Sequence, residues 1–178
     1  IRKIVEKLGD GVAEGNTFKA VQIGGPSGGC IPEYKADTAI DYEELTKMGA
    51  MMGSGGMVVL DNTDCIVDMA KYFLTFTHKQ SCGKCTFCRI GTKQMLSIIT
   101  LLSEGKATTK DIDELESLCK SVKEGSLCGL GKTAPNPVIT GLRYFREEYE
   151  EHTQGICRAN KCRDLIKYNV NDNCTGCT

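Results

Sequence analysis

"SCGKCTFCRIGTK", residues 81–93, sets Cys82, Cys85 and Cys88 in a strict C-x2-C-x2-C rhythm. That spacing brings three sulfurs together from one short loop. Zinc sites are usually built from paired C-x2-C knuckles, two ligands and then two more, so a third cysteine at a further two-residue step is redundant for zinc. A [4Fe–4S] cluster is commonly held by closely spaced cysteines and a remote one that closes the far side of the cube. The spacing therefore favours iron–sulfur and demands a fourth ligand from elsewhere in the chain.

Helical periodicity surrounds the motif. Residues 64–77 are apolar nearly all round, which reads as a buried helix carrying Cys65. A second helix starts near Cys88–Gly91 and runs through Met95, Leu96, Ile99 and Leu102. A third follows, with Asp111 and Asp113 in its first turn and a stripe of Ile112, Leu115, Leu118, Cys119 and Val122. A fourth opens at "APNPV", with Asn136 as N-cap and Pro137 at the first helical position. Four such helices joined by short loops predict a bundle. Cys119 and Cys65 then read as small core residues. Cys128 differs, because it lies in the Gly-rich "GSLCGLG" loop (125–131) between helices three and four. Up-and-down packing puts that loop at the same end as the start of helix two. The expected cluster ligands are Cys82, Cys85, Cys88 and Cys128. Lys84, Arg89 and Lys93 place positive charge nearby, and His78 reads as a partner of a helix C-terminus rather than a ligand.

Composition bounds the alternatives. The 178 residues hold 22 Lys and Arg against 23 Asp and Glu, a net charge of −1, so no basic excess points to nucleic acid. No apolar run reaches transmembrane length and no secretory signal is present. Of 11 cysteines, seven fall in three tight sets: 82/85/88, 157/162 and 174/177. Local clustering of this kind reads as metal binding in a reducing, cytoplasmic compartment rather than as a disulfide framework. The chain starts with Ile and reads as a piece of a longer protein.

Upstream of the helices, "FKAVQI" (18–23) and "MVVL" (57–60) read as strands, the second of them buried. Ile1, Ile4, Val5 and Leu8 form one stripe of a short helix. "GGPSGG" (24–29) and "GSGG" (53–56) lack the Lys-Ser/Thr of a phosphate loop and read as tight turns. The fold class expected is α+β. A truncated β-grasp-like unit occupies 1–62, a helical cluster-binding bundle 63–151 and a Cys-rich tail 152–178.

"QSCGKCTFCRIGT" (80–92) followed by "SLCGLGKTAPNPV" (126–138) resembles the NADH- and FMN-binding flavoprotein subunit of respiratory complex I and its hydrogenase relatives. "QIGGPSGGCIP" (22–32) and "MGSGGMVVLD" (52–61) are similar to the SLBB domain of that subunit. The "GGC" turn and the Cys-rich extension past "YFREEYEEH" look most like the β subunit of NAD(P)-linked, electron-bifurcating [FeFe]-hydrogenases. This resemblance implies a cluster that takes single electrons from a flavin. It also implies FMN and NAD(P) in an upstream domain, and a thioredoxin-like [2Fe–2S] subunit and a catalytic hydrogenase subunit as partners. "NDNCTGCT" (171–178) looks like the opening of a ferredoxin-like domain that would carry further [4Fe–4S] clusters, with Cys174 and Cys177 in place.

His152, Cys157 and Cys162 run H-x4-C-x4-C. Zinc wants four ligands, and Cys30 is the best remote candidate, so a structural zinc on Cys30, His152, Cys157 and Cys162 is expected. In the hydrogenase-like branch this region resembles a zinc-stapled hinge. Two other readings stay open: the same subunit in complex I, and a zinc-stapled interaction module in which every cysteine serves zinc.

Overall fold

The computed structural model describes residues 1–168 and 170. The expected ferredoxin-like opening with Cys174 and Cys177 lies outside the described residues.

Three antiparallel strands, β1 (Phe18–Ile23), β2 (Gly29–Pro32) and β3 (Met57–Asp61), form one sheet in the order β2-β1-β3. β1 pairs with β2 through Val21–Ile31 and Gln22–Cys30, and with β3 through Val21–Val59 and Gln22–Val58. Successive strand residues face opposite ways, and here both faces are used. Val21, Ile23 and Ile31 pack with Ile1, Val5, Ala36, Leu45 and Ala50 in a small core. Ala20, Cys30 and Leu60 join the large core of the helical layer. β3 is an edge strand, so Val58 and Val59 are exposed, which corrects the expectation of a buried strand. At the N-terminus the expected helix is one π-helical turn, Ile4–Leu8, that buries Val5 and leaves Leu8 in solvent. The short helix α1 (Tyr42–Lys47) is an element the sequence pattern did not announce. Its N-cap, Asp41, accepts a hydrogen bond from the Glu44 N–H at 2.8 Å.

Four long helices follow: α2 (Ile66–Lys79), α3 (Thr86–Ser103), α4 (Thr109–Gly125) and, after the one-turn α5 (Gly129–Thr133), α6 (Asn136–Thr153). α2 packs on α3 and α6, and α4 packs on α3 and α6. Their shared core includes Leu74, Met95, Ile99, Leu102, Ile112, Leu115, Val138 and Tyr149. Thr108 and Asp111 form a reciprocal capping box at the start of α4. α6 starts one residue earlier than expected, with Pro135 as N-cap, and its backbone breaks from helical geometry at Phe145.

The sheet docks on α6 through β2. The Cys30 N–H donates to Thr140 Oγ1 at 2.9 Å, and the Asn136 side-chain amide donates to Ser27 O at 3.0 Å. Among the described residues no helix is long and apolar enough to cross a membrane.

Candidate metal centres

The C-x2-C-x2-C loop leads directly into α3. Cys85 is the N-cap and Cys88 lies in the first turn, buried, while Cys82 is exposed. Gly83, at φ +75°, gives the loop the left-handed residue that it needs to turn back. Across from it, Cys128 is exposed and caps α5, so a cysteine expected in a plain loop stands at a helix N-terminus.

The two loops meet. The α5 turn packs on the start of α3, and the Cys85 thiol is held below the usual range, first by the backbone of Leu127 and then by that of Cys88. Cys88 is pushed the other way, first by burial and then by Cys85, Cys128 and Cys82 around it. The other three cysteines thus stand close enough to Cys88 to act on it, and a positively charged metal core there would favour its thiolate.

Two further observations suit a cluster. A Cβ on Gly131 would lie 2.6 Å from Ser126 Cβ and 3.2 Å from Cys88 Cβ, so only glycine lets α5 approach this closely. The Ser126 hydroxyl beside it is buried with no hydrogen-bond partner among the described residues. Such a group is available to an acceptor that the polypeptide itself does not supply. The Ser81 hydroxyl lies 3.3 Å from Cys88 Sγ, and the Thr92 hydroxyl donates to Cys88 O at 2.6 Å. His78 Nδ1 is 3.0 Å from that same Thr92 oxygen, so the histidine supports the loop indirectly.

A second group forms at the opposite end of α2. The ligand atoms of Cys65, His152, Cys157 and Cys162 lie within 4.8 Å of one another, and all four residues are buried. Cys65 Sγ stands 3.3 Å from His152 Nε2 and 3.9 Å from Cys162 Sγ, and His152 Nε2 is 3.4 Å from Cys162 Sγ. A tetrahedral zinc with Zn–S of about 2.3 Å and Zn–N of about 2.0–2.1 Å implies S···S edges of about 3.8 Å and S···N edges of about 3.5–3.6 Å. The spacing therefore fits a single tetrahedral ion.

Three of the four expected residues are in this group, and Cys65 takes the place assigned to Cys30. The reason is positional. Cys30 is fixed on β2 opposite Thr140, twelve residues before His152 on α6, a run of roughly 18 Å of helix. Its thiol is buried in the core, and burial pushes it up to about 12. Cys65 reads as a core residue from sequence because it precedes an apolar run. It is the N-cap of α2, with its sulfur turned toward the end of α6. The signal for this is the turn "DNTDC" just ahead of the helix.

His152 is fixed for ligation. Its Nδ1 donates to Glu148 O at 2.6 Å, which leaves Nε2 facing the sulfurs. The neighbouring Cys162 and burial push Cys65 up. Burial opposes a charge on His152, but the Cys65 sulfur beside it outweighs burial and raises it to about 9. Between them the pair retains a proton well above neutral pH, and a bound cation would displace it.

A cysteine loop and a Gly-rich cysteine turn are presented at one end of packed helices, an arrangement suited to holding an iron–sulfur cluster. Residues 68–152 match the family described as NADH-ubiquinone oxidoreductase-F iron-sulfur binding region. The chain is 46% identical over 179 residues to the NADP-reducing hydrogenase subunit HndC of Solidesulfovibrio fructosivorans, covering 99% of this chain and 36% of that one. It is 36% identical over 154 residues to an NADH-quinone oxidoreductase subunit of Rhizobium meliloti, covering 86% and 37%. It thus spans little more than a third of these curated relatives. Among solved structures it resembles NAD+-reducing [NiFe]-hydrogenase in the air-oxidized state, with TM-score 0.68, 30% identity, and coverage of 76% of this chain and 23% of that one.

Proposed function

We propose that this chain is the electron-relay part of an NAD(P)H- and FMN-dependent oxidoreductase subunit, working in a cytoplasmic hydrogenase complex. Cys82, Cys85, Cys88 and Cys128 would hold one [4Fe–4S] cluster, which when bound accepts and releases single electrons. The observation that carries this reading is the meeting of the two cysteine loops, so close that a Cβ on Gly131 would lie 3.2 Å from Cys88 Cβ. The residues do the rest of the work. Cys85 and Cys128 cap helix N-termini, where a thiolate is favoured. Ser81 sits against the Cys88 sulfur. Cys82 and Cys128 stay exposed, open to a donor and an acceptor.

On this reading residues 1–62 are an SLBB-like unit, 63–151 a four-helix cluster-binding bundle, and 152–178 a hinge toward a ferredoxin-like domain with further clusters. The second site, Cys65, His152, Cys157 and Cys162, would hold a structural zinc. FMN and NAD(P) would bind an upstream domain, and the partners would be a thioredoxin-like [2Fe–2S] subunit and a catalytic hydrogenase subunit. The hydrogenase setting is favoured over complex I because similarity to the hydrogenase subunit runs through 99% of the chain, Cys-rich tail included.

Anaerobic reconstitution tests both centres at once. The expected product is brown, absorbs near about 400 nm, carries about four irons per chain and gives an S = 1/2 signal on reduction. It should also retain about one zinc. A colourless protein with zinc in both places would overturn the relay in favour of a zinc-stapled interaction module.

A further inference from the structure

The most constrained charged pair among the described residues serves neither cluster directly. Lys19 on β1 and Glu148 on α6 meet at 2.6 Å, and their side chains are only 17% and 9% exposed. Charges this far out of water need more than each other, and each has a further partner. Lys19 Nζ donates to Asp64 O at 2.6 Å. Glu148 Oε2 accepts the Ile66 N–H at 3.2 Å.

Asp64 and Ile66 flank Cys65. The Asp64 carbonyl belongs to the peptide bond entering Cys65, and the Ile66 N–H to the peptide bond leaving it. One ion pair therefore grips both peptides of a single cysteine. Glu148 also lies one turn before His152, whose Nδ1 is bound to the Glu148 carbonyl. The cysteine and histidine that approach each other to 3.3 Å are thus both anchored at residue 148.

We infer that Lys19 and Glu148 form a charged clamp that positions Cys65 against His152, and so sets the geometry and affinity of the mononuclear site. This inference rests on the proposal that the four residues bind a single metal ion. Charge balance supports it. A divalent ion with three thiolates and a neutral imidazole carries one net negative charge, and a lone buried carboxylate beside it would be repelled. Lys19 cancels that carboxylate, so Glu148 can cap α2 without opposing the metal site. Because Lys19 belongs to β1, the clamp also ties metal loading to the docking of the sheet on α6. Glu148 and Lys19 touch no ligand atom themselves and are positioning residues.

The test is metal affinity, measured on the anaerobically prepared protein by competition with a chromophoric chelator, together with the visible spectrum after cobalt substitution. Replacing a partner outside the ligand shell typically weakens a site by about 10–100-fold, and Lys19→Met and Glu148→Ala should each do so. Both should shift the cobalt ligand-field bands, because Cys65 loses its fixed approach. Glu148→Gln keeps an oxygen for the Ile66 N–H and should recover part of the affinity. The Lys19→Met/Glu148→Gln double variant should lose less than the sum of its parts, since the two residues act as one clamp. Leu142→Ala, a cavity in the same core, should lower stability and leave the cobalt bands in place. Wild-type affinity within about twofold and unchanged bands in Lys19→Met and Glu148→Ala would overturn the clamp while leaving the metal site standing. A wild-type chain that takes up iron but neither zinc nor cobalt would overturn the mononuclear site and the clamp together.

Discussion

Cys65 and Cys30 are both buried thiols on the helical core, yet they should respond oppositely to removal. The perturbation is Cys65→Ala against Cys30→Ala. Cys65 Sγ supplies two of the short donor–donor edges of the mononuclear group, 3.3 Å to His152 and 3.9 Å to Cys162. Its loss leaves three donors for an ion that wants four, and the deficit must exceed the about 10–100-fold typical of partners outside the ligand shell. Cys65→Ala should therefore weaken zinc binding by more than about 100-fold, or about 2.8 kcal/mol. Stability should fall by a similar amount when metal is present and change much less when it is absent, because binding to the folded state alone supplies the difference. Cys30→Ala removes one buried sulfur from a packed core, at a cost of about 1 kcal/mol, and should leave metal affinity untouched. Chelator competition gives the affinities, and denaturant titration with and without zinc gives the stabilities. Reversed behaviour, with Cys30→Ala losing the metal and Cys65→Ala keeping it, would refute the assignment and restore the ligand set expected from sequence.

Gly131→Ala places a Cβ 2.6 Å from Ser126 Cβ, so the Cys128 turn must back away from Cys88; overpacking of about 1–3 kcal/mol and a reduced iron content are expected, by denaturation and iron assay. Cys128→Ala should lower both cluster occupancy and thermal stability, and a full complement of iron in that variant would show that another residue is the fourth ligand. Cys65 is pushed up and His152 is raised to about 9, so a binding ion must displace protons held at neutral pH. Zinc affinity should therefore rise by about tenfold or more per pH unit between about pH 6 and 8, with proton release measurable in weak buffer. Extracting zinc should leave the reduced cluster's electron paramagnetic resonance signal unchanged, since the two sites stand at opposite ends of the 14-residue α2, roughly 21 Å of helix.

The helical half was legible because its signals are local. Stripes at 3.6-residue spacing marked α2, α3, α4 and α6, and a glycine-flanked cysteine marked the turn before α5. The proposed cluster cysteines were read from spacing plus the expectation that alternate loops share an end, and the structure brings those two loops together. Contacts between distant segments were not legible. Nothing in "MVVL" says that β3 is an edge, because a continuous apolar run is ambiguous until the sheet order is known. The exchange of Cys30 for Cys65 has the same origin. Both precede apolar stretches, and only the docking of β2 near Thr140 shows that Cys30 enters the helical layer far from His152. α1 did carry a local signal, an Asp41 three residues before Glu44, but six residues are too few to set up a stripe.

The two candidate centres differ in a way that suits the roles proposed for them. Cys82 and Cys128 reach solvent, whereas all four residues of the mononuclear group are buried. Electrons must enter and leave a relay, so an exposed edge is useful there and a closed shell is not. A closed four-ligand shell is the mark of a structural zinc, an ion without redox chemistry. α2 and α6 connect the two ends: α2 runs from Cys65 toward the Cys82 loop, and α6 runs from the end of α5 to His152. Pinning Cys65 to His152 therefore fixes the register of α2 against α6 at one end. A zinc there would staple the buried end, and the Lys19–Glu148 pair would extend that hold to the sheet, while the exposed end keeps its own packing a helix length away.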